Sequence, residues 1–212
     1  MTTTDSPKKK GSVPRWLAIP TAKPQLNTAE VASKYPRLRF QVFMGIFIGY
    51  ATFYLIRNNV PLVTPILTHE LGFSNAAIGA LSTALLLAYG FSKFFTAMIS
   101  DRSNARLFLP IGLVLSGIAN VLLAIAGYMG SGAAAAGYGA AIASTMAAIM
   151  VFNGIFQGMG WPPSGRVLVN WFSTSERGSK VSLWNTAHNV GGALSGLLVA
   201  WGFTLFGKTW QV

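Results

Sequence analysis

The 212-residue chain has no cysteine, which excludes a disulfide framework, a thiolate zinc site and thiol chemistry. It is also short of charge. Only 10% of its residues are Asp, Glu, Lys or Arg, against about 25% in soluble domains. What replaces charge is apolar: 52% of the residues are hydrophobic and the mean hydropathy is +0.49, the composition of a membrane protein. Acidic residues number five against sixteen basic ones, a net charge of +11. Half of those cations, Lys8, Lys9, Lys10, Arg15, Lys23, Lys34, Arg37 and Arg39, precede the first apolar run. That placement belongs to a basic cytoplasmic tail rather than to a folded nucleic-acid surface, so nucleic acid is not an expected partner. No metal-ligand constellation surrounds His69 and Glu70, which are expected in a solvated loop, and neither a metal nor a cofactor is expected.

Along the chain, residues 1–36 are rich in Pro, Lys, Thr and Ser and are expected to be disordered. The remainder, 37–212, reads as apolar spans. The first covers about Phe40 to Leu67, too long for the apolar part of a secretory signal. A loop "THELGFSN" follows, with Ser74 as N-cap of a second span from about Ala76 to Ser100. The third span covers about Leu107 to Tyr128, and the fourth runs from a Gly/Ala stretch past "QGMGWPP" to about Phe172. After a polar loop, "STSERGSK", a fifth covers about Val181 to Phe206. Cations occur in alternate connections: the tail, Arg102 and Arg106 after the second span, Arg177 and Lys180 after the fourth. The intervening connections carry almost none, with Lys208 after the fifth span the exception. The positive-inside rule then places the amino terminus in the cytoplasm of a multi-pass inner-membrane protein. Five spans with a chain end at Val212 suggest the first part of a longer protein.

Within the spans, a few polar residues are expensive enough to need a reason. Arg57 has about 15 Å of helix on its outer side and costs roughly 2.5–3.5 kcal/mol to insert, so a partner is expected. Its planar fork matches phosphate oxygens; the alternatives are snorkelling to headgroups or an acidic partner. Tyr50, Tyr54, Arg57 and Pro61 are spaced to share one helix face, and Pro61 should disturb the bond to the Arg57 carbonyl. Lys93, with Tyr89 one turn before it, lies two turns from a helix end, so snorkelling competes with a role in the pore. His188 lies near mid-span between Asn185 and Asn189, as a cavity residue or as a neutral histidine satisfied locally. Gly191, Gly192 and Gly196 form a small-residue seam suited to close helix approach. Gln157 and Trp161 precede Pro162-Pro163, where a helix break beside a cavity is reasonable. Trp161 reads equally as cavity wall or as packing.

Three stretches carry a family resemblance. "SDRSNAR", with Asp101, Arg102 and Arg106, resembles the loop motif of the major facilitator superfamily, with Ala97 at the usual leading glycine. "FQGMGWPPSGR" is similar to the fourth helix of bacterial glycerol-3-phosphate transporters. "RGSKVSLWNTAHNVGG", with Arg177, Gly178, Trp184, Asn185, His188, Asn189, Gly191 and Gly192, resembles the signature of the organophosphate:inorganic phosphate antiporter family. Together with "GYATFYLIRNN" the resemblance runs from about Arg39 to the end.

The resemblance implies an all-α amino-terminal bundle, five helices of an expected twelve, completed by a carboxy-terminal half that brings a second arginine. It implies Arg57 on substrate phosphate, Lys93 facing the pore and His188 in the central cavity. Tyr50, Tyr54, Tyr89, Gln157 and Trp161 join them as substrate-binding candidates. Asp101, Arg102 and Arg106 would form the cytoplasmic loop motif, and Arg166 a gate or headgroup contact. Gly154 stands where proton-coupled members carry an arginine, which suits anion exchange, and Asn58 stands where the family often has lysine. The implied function is no enzymatic reaction. It is exchange of an organic phosphate, glycerol 3-phosphate first and hexose phosphate next, for inorganic phosphate by rocking of two bundles. A phosphoglycerate remains open as substrate. The alternative is a membrane sugar-phosphate sensor of the same fold signalling to a partner kinase.

Overall fold

The computed structural model describes residues 13–21, 24–62, 64–133 and 139–206. The cations Lys8, Lys9, Lys10, Lys23 and Lys208 therefore lie outside the described residues. The described chain is helical: α1 Thr28–Arg57, α2 Asn59–Leu62, α3 Thr64–Leu71, α4 Asn75–Asp101, α5 Ala105–Ala133, α6 Gly139–Gln157, α7 Trp161–Trp171, α8 Thr174–Asn185 and α9 Ala187–Phe206. By length and composition, four segments suffice to cross a membrane: α1, α4, residues 105–129 of α5, and α6 with α7 taken together from Ala140 to Trp171. The stretch expected as a fifth span forms α8 and α9, divided at Thr186, and is not among those four.

Helix α1 starts well before the apolar run. Asn27 and Glu30 form a reciprocal capping box, with the Glu30 N–H donating to Asn27 Oδ1 at 2.8 Å, so residues 28–36 are helical rather than disordered. Its far end closes at Arg57. Pro61 has no N–H to offer the Arg57 carbonyl, and the expected single run to Leu67 becomes three helices. The loop expected at "THELGFSN" is largely helical too: α3 takes in His69 and Glu70, and Gly72, at φ 65°, supplies the left-handed turn that ends it. Ser74 caps α4 as expected, accepting from the Ala77 N–H at 3.1 Å. "STSERGSK" is the start of α8, where Ser173 and Glu176 form a second capping box.

The helices pack in two groups. α6 lies between α4 and α5, and α9 lies along α1. The first contact depends on Gly154: a Cβ there would meet the Leu85 carbonyl oxygen and the Ala88 Cβ of α4. Gly191 plays the same part in the second, where a Cβ would meet the Ala51 carbonyl of α1. The expected small-residue seam stops short of Gly196, which faces open space. Two cores result. One gathers Leu67, Phe73, Leu81, Leu85, Met146 and Met150; the other packs Phe43, Ile46, Leu168, Phe172 and Trp184. Large side chains elsewhere face outward, among them Phe91, Phe94 and Phe95 of α4. Apolar exposure on that scale is what lipid, not water, accommodates.

At the basic end of the bundle, α1 is tied to α7 and α8. Tyr35 stacks on Trp171 with 4° between the ring planes and donates its hydroxyl to the Trp171 carbonyl at 2.6 Å. Arg39 pairs with Glu176 and lies 4.7 Å over the Phe172 ring. The Arg39 hydrogen bond, helped by the Ser173 backbone, holds the Glu176 carboxyl below its ordinary pKa of 4.5. Next to this belt, residues 13–21 lie on the α4–α5 connection: Leu17 is buried, and its carbonyl accepts the Asn104 N–H at 2.7 Å.

Candidate functional site

The polar residues of α1 meet those of α4, α6 and α9 in one continuous arrangement. One-turn spacing puts Tyr50, Tyr54 and Arg57 on a common face of α1. The rings of Tyr50 and Tyr54 meet edge to face at 5.4 Å. Tyr50 also packs at 4.4 Å on Trp184, whose indole N–H donates to the Ile46 carbonyl at 3.2 Å. His188 of α9 lies 5.4 Å from the Tyr54 ring. The guanidinium of Arg57 is set between two phenols, its Cζ 4.3 Å from the Tyr54 centroid and 4.0 Å from that of Tyr89 on α4. Its Nε–H donates to Gln157 Oε1 of α6 at 3.1 Å.

Two cations share the Tyr89 ring, because the Lys93 ammonium also lies 4.0 Å from its centroid. The charges are thus at most twice that distance apart. At an effective dielectric constant of 20, such a pair repels by about 2 kcal/mol. The ring faces offset part of this, each cation–π contact contributing on the order of 0.5–2 kcal/mol. A dianion between the cations would reverse the sign of the interaction. A cavity of about 170 Å³ adjoins Arg57, lined also by Asn58, Pro61, Ser82 and Met150. Seven of the eight substrate-site candidates therefore come together: Tyr50, Tyr54, Arg57, Tyr89, Lys93, Gln157 and His188.

Trp161 stands apart. It opens α7 beyond the α6 break, half exposed, with its ring along Gly165. The break itself is supported by neighbours, as a helix interruption in lipid requires. Thr96 donates to the Gly158 carbonyl at 2.9 Å, and Ser164 to that of Gly160 at 2.9 Å. Asn185 and Asn189 are exposed on either side of His188, whose described ring contact is Tyr54. Asn58 turns toward α9, its Nδ2 3.3 Å from where a Cβ on Gly192 would lie.

The loop-motif stretch is held by α7. Arg166 of α7 donates to the Ser100 carbonyl at 2.5 Å and the Ser103 carbonyl at 2.6 Å, neutralising the carboxy-terminal end of α4. Among the described residues the ion pairs are Lys34–Glu30 and Arg39–Glu176, and Asp101 is in neither. Asp101, Arg106 and Arg166 line a cavity of about 580 Å³ at the basic end of the bundle. Arg102 caps α4 through its backbone N–H.

Sequence reasoning missed Ser116 and Asn153. Both are buried, and both bond into the Gln157 amide system: Gln157 Nε2 donates to Ser116 Oγ at 2.8 Å, and the Ser116 hydroxyl donates to Asn153 Oδ1. The signal was present as two amides one turn apart in an otherwise apolar helix, Asn153 and Gln157.

The family profile described as Major Facilitator Superfamily matches residues 46–212. The chain is 46% identical over 187 residues to the glycerol-3-phosphate transporter of Bacillus subtilis (strain 168), covering 88% of this chain and 39% of that protein. It is 46% identical over 185 residues to the glycerol-3-phosphate transporter of Haemophilus influenzae, covering 87% and 36%. The membrane sensor protein UhpC of Escherichia coli (strain K12) is 38% identical over 186 residues, covering 87% and 39%. The chain thus spans less than half the length of the curated relatives it matches.

Proposed function

The chain belongs to the Major Facilitator Superfamily, and from that premise we propose that the protein is a secondary transporter exchanging an organic phosphate for inorganic phosphate. Glycerol 3-phosphate is the first substrate, hexose phosphate the next. The observation that carries the reading is the Arg57 fork, set against Tyr54 and Tyr89 with its Nε–H on Gln157 and a second cation at the Tyr89 ring. Holding Arg57 by Nε leaves the Nη edge for a bidentate grip on phosphate oxygens. Lys93 adds charge for a dianion, and His188 beside Tyr54 adds an imidazole that can hydrogen-bond a phosphate oxygen.

In this mechanism phosphate binds between this bundle and a carboxy-terminal bundle that supplies a second cation. Binding draws the two bundles together and lowers the barrier to rocking between inward-open and outward-open states. Empty, the site keeps two cations in repulsion, which opposes return without a counter-substrate and so favours exchange. Gly154 is consistent with this: the α4–α6 contact leaves no room there for the arginine of proton-coupled members. The basic tail and the cations of alternate connections support a cytoplasmic amino terminus in the inner membrane. Arg166 would serve the cytoplasmic gate through the end of α4.

Counterflow tests the reading. The full-length protein in phosphate-loaded proteoliposomes should take up labelled glycerol 3-phosphate, with no uptake into phosphate-free vesicles. Uptake that ignores internal phosphate would overturn antiport. The similarity to a membrane sensor favours one second reading, a sugar-phosphate receptor of the same fold signalling to a kinase. Binding of glycerol 3-phosphate or hexose phosphate without flux would establish it.

A further inference from the structure

The buried chain behind Gln157 has a single direction. Arg57 Nε–H donates to Gln157 Oε1; Gln157 Nε2 donates to Ser116 Oγ; the Ser116 hydroxyl donates to Asn153 Oδ1. It begins on α1, passes to α6, crosses to α5 and returns to α6 one turn from where it entered. Gln157, Ser116 and Asn153 are 1%, 0% and 2% exposed, so water is not available to replace a lost partner.

A carboxamide has two ends, and only its oxygen can face a guanidinium. Turned over, Gln157 would present an N–H₂ to the Arg57 N–H, two donors in opposition with no shared acceptor. That orientation is kept only if the group on the other side accepts from the amide N–H₂. A hydroxyl can either donate or accept, and by itself would tolerate both orientations. Asn153 Oδ1 removes that freedom by taking the Ser116 proton, which obliges Ser116 Oγ to act as acceptor toward Gln157. Asn153 and Ser116 thereby specify the orientation of Gln157, and Gln157 specifies that of the Arg57 fork.

We propose that Ser116 and Asn153 are positioning residues for the anion site: remote from the ligand, they set the direction of the hydrogen-bond chain that aims the Arg57 guanidinium. The proposal rests on the reading of Arg57 as the phosphate-binding group. It goes beyond that reading by placing two neutral residues on α5 and α6 in control of phosphate affinity.

The test is a double-mutant cycle in the full-length protein, with inorganic phosphate as the probe and exchange in proteoliposomes as the readout. Ser116→Ala should raise the phosphate KM by about tenfold, the scale of one hydrogen bond to a charged group, with maximal rate changed less than about twofold. Ser116→Thr, which keeps the hydroxyl, should restore most of the affinity. In a Gln157→Ala background Ser116→Ala should change KM by less than about twofold, because its effect passes through Gln157. A tenfold effect that persists in that background, or an unchanged KM in the otherwise native protein, would overturn the proposal. Should Ser116→Ala fail to reach the membrane, Asn153→Ala is read in the same cycle with the same expectations. If the unmodified protein shows no phosphate exchange or binding, the functional reading itself has failed, whereas exchange insensitive to these variants rejects the positioning role alone.

Discussion

Arg57→Lys keeps the charge in the site and removes the fork, which makes it the sharpest perturbation of the proposed mechanism. A lysine ammonium is a compact point charge on a flexible stem; it lacks the planar edge that grips two oxygens at once. The substitution also removes the Nε–H that donates to Gln157, leaving that buried amide oxygen without its described partner. Stacking between Tyr54 and Tyr89, at 4.3 and 4.0 Å, suits a flat guanidinium better than a tetrahedral ammonium. Losing two charge-assisted hydrogen bonds at about 1.5–3 kcal/mol each corresponds to roughly two to four decades of affinity. Exchange should therefore fall to about 2% of the native rate or less at substrate concentrations that half-saturate the native protein. The assay is counterflow of labelled glycerol 3-phosphate into phosphate-loaded proteoliposomes, with membrane insertion and detergent-phase melting measured in parallel. Native exchange rates in a correctly inserted Arg57→Lys protein would refute the phosphate-clamp argument.

The remaining predictions concern the scaffold and its basic end. Gly154→Ala should destabilise the bundle by about 1–3 kcal/mol, the cost of overpacking a tight contact, whereas Gly90→Ala, which meets open space, should be silent in the same melt. Melting below pH 4.5 should reveal the Arg39–Glu176 pair. The Glu176 pKa is lowered in the folded state, so its contribution is present above the ordinary carboxylate range and is lost as pH falls through the lowered value. Glu176→Gln should flatten that acid dependence by lowering melting at neutral pH toward the acid value, with little change below the lowered pKa. Arg166→Ala leaves the Ser100 and Ser103 carbonyls without their guanidinium, and limited proteolysis should then cut faster between α4 and α5 than in the native protein. An unchanged rate would deny Arg166 a part in holding that connection.

The sequence by itself determined the lipid environment, the order of the apolar helices and which polar residues they carry. Long apolar runs and the alternation of cations are one-dimensional properties, and an arginine in a span is costly wherever the helix lies. One-turn spacing was enough to group Tyr50, Tyr54 and Arg57, and to mark Pro61 as the point where α1 would fail. Capping boxes can also be read locally, yet those at Asn27 and Ser173 were outweighed by polar composition, so both helix starts fell too late.

Only the tertiary structure decided which elements meet. Whether Gly154 or Gly196 carries a close contact depends on what stands opposite, and one faces the α4 backbone while the other faces open space. The pairing of Arg57 with Gln157 spans a hundred residues, and no periodicity links α1 to α6. The same holds for Arg166, whose partners proved to be the Ser100 and Ser103 carbonyls of another helix end, and for Trp161, separated from Gln157 by a break in the helix that one-turn spacing ignores. Periodicity fixes which side of a helix a residue occupies; packing of that side against another helix, and the need to satisfy each buried polar group, fixes what the residue does.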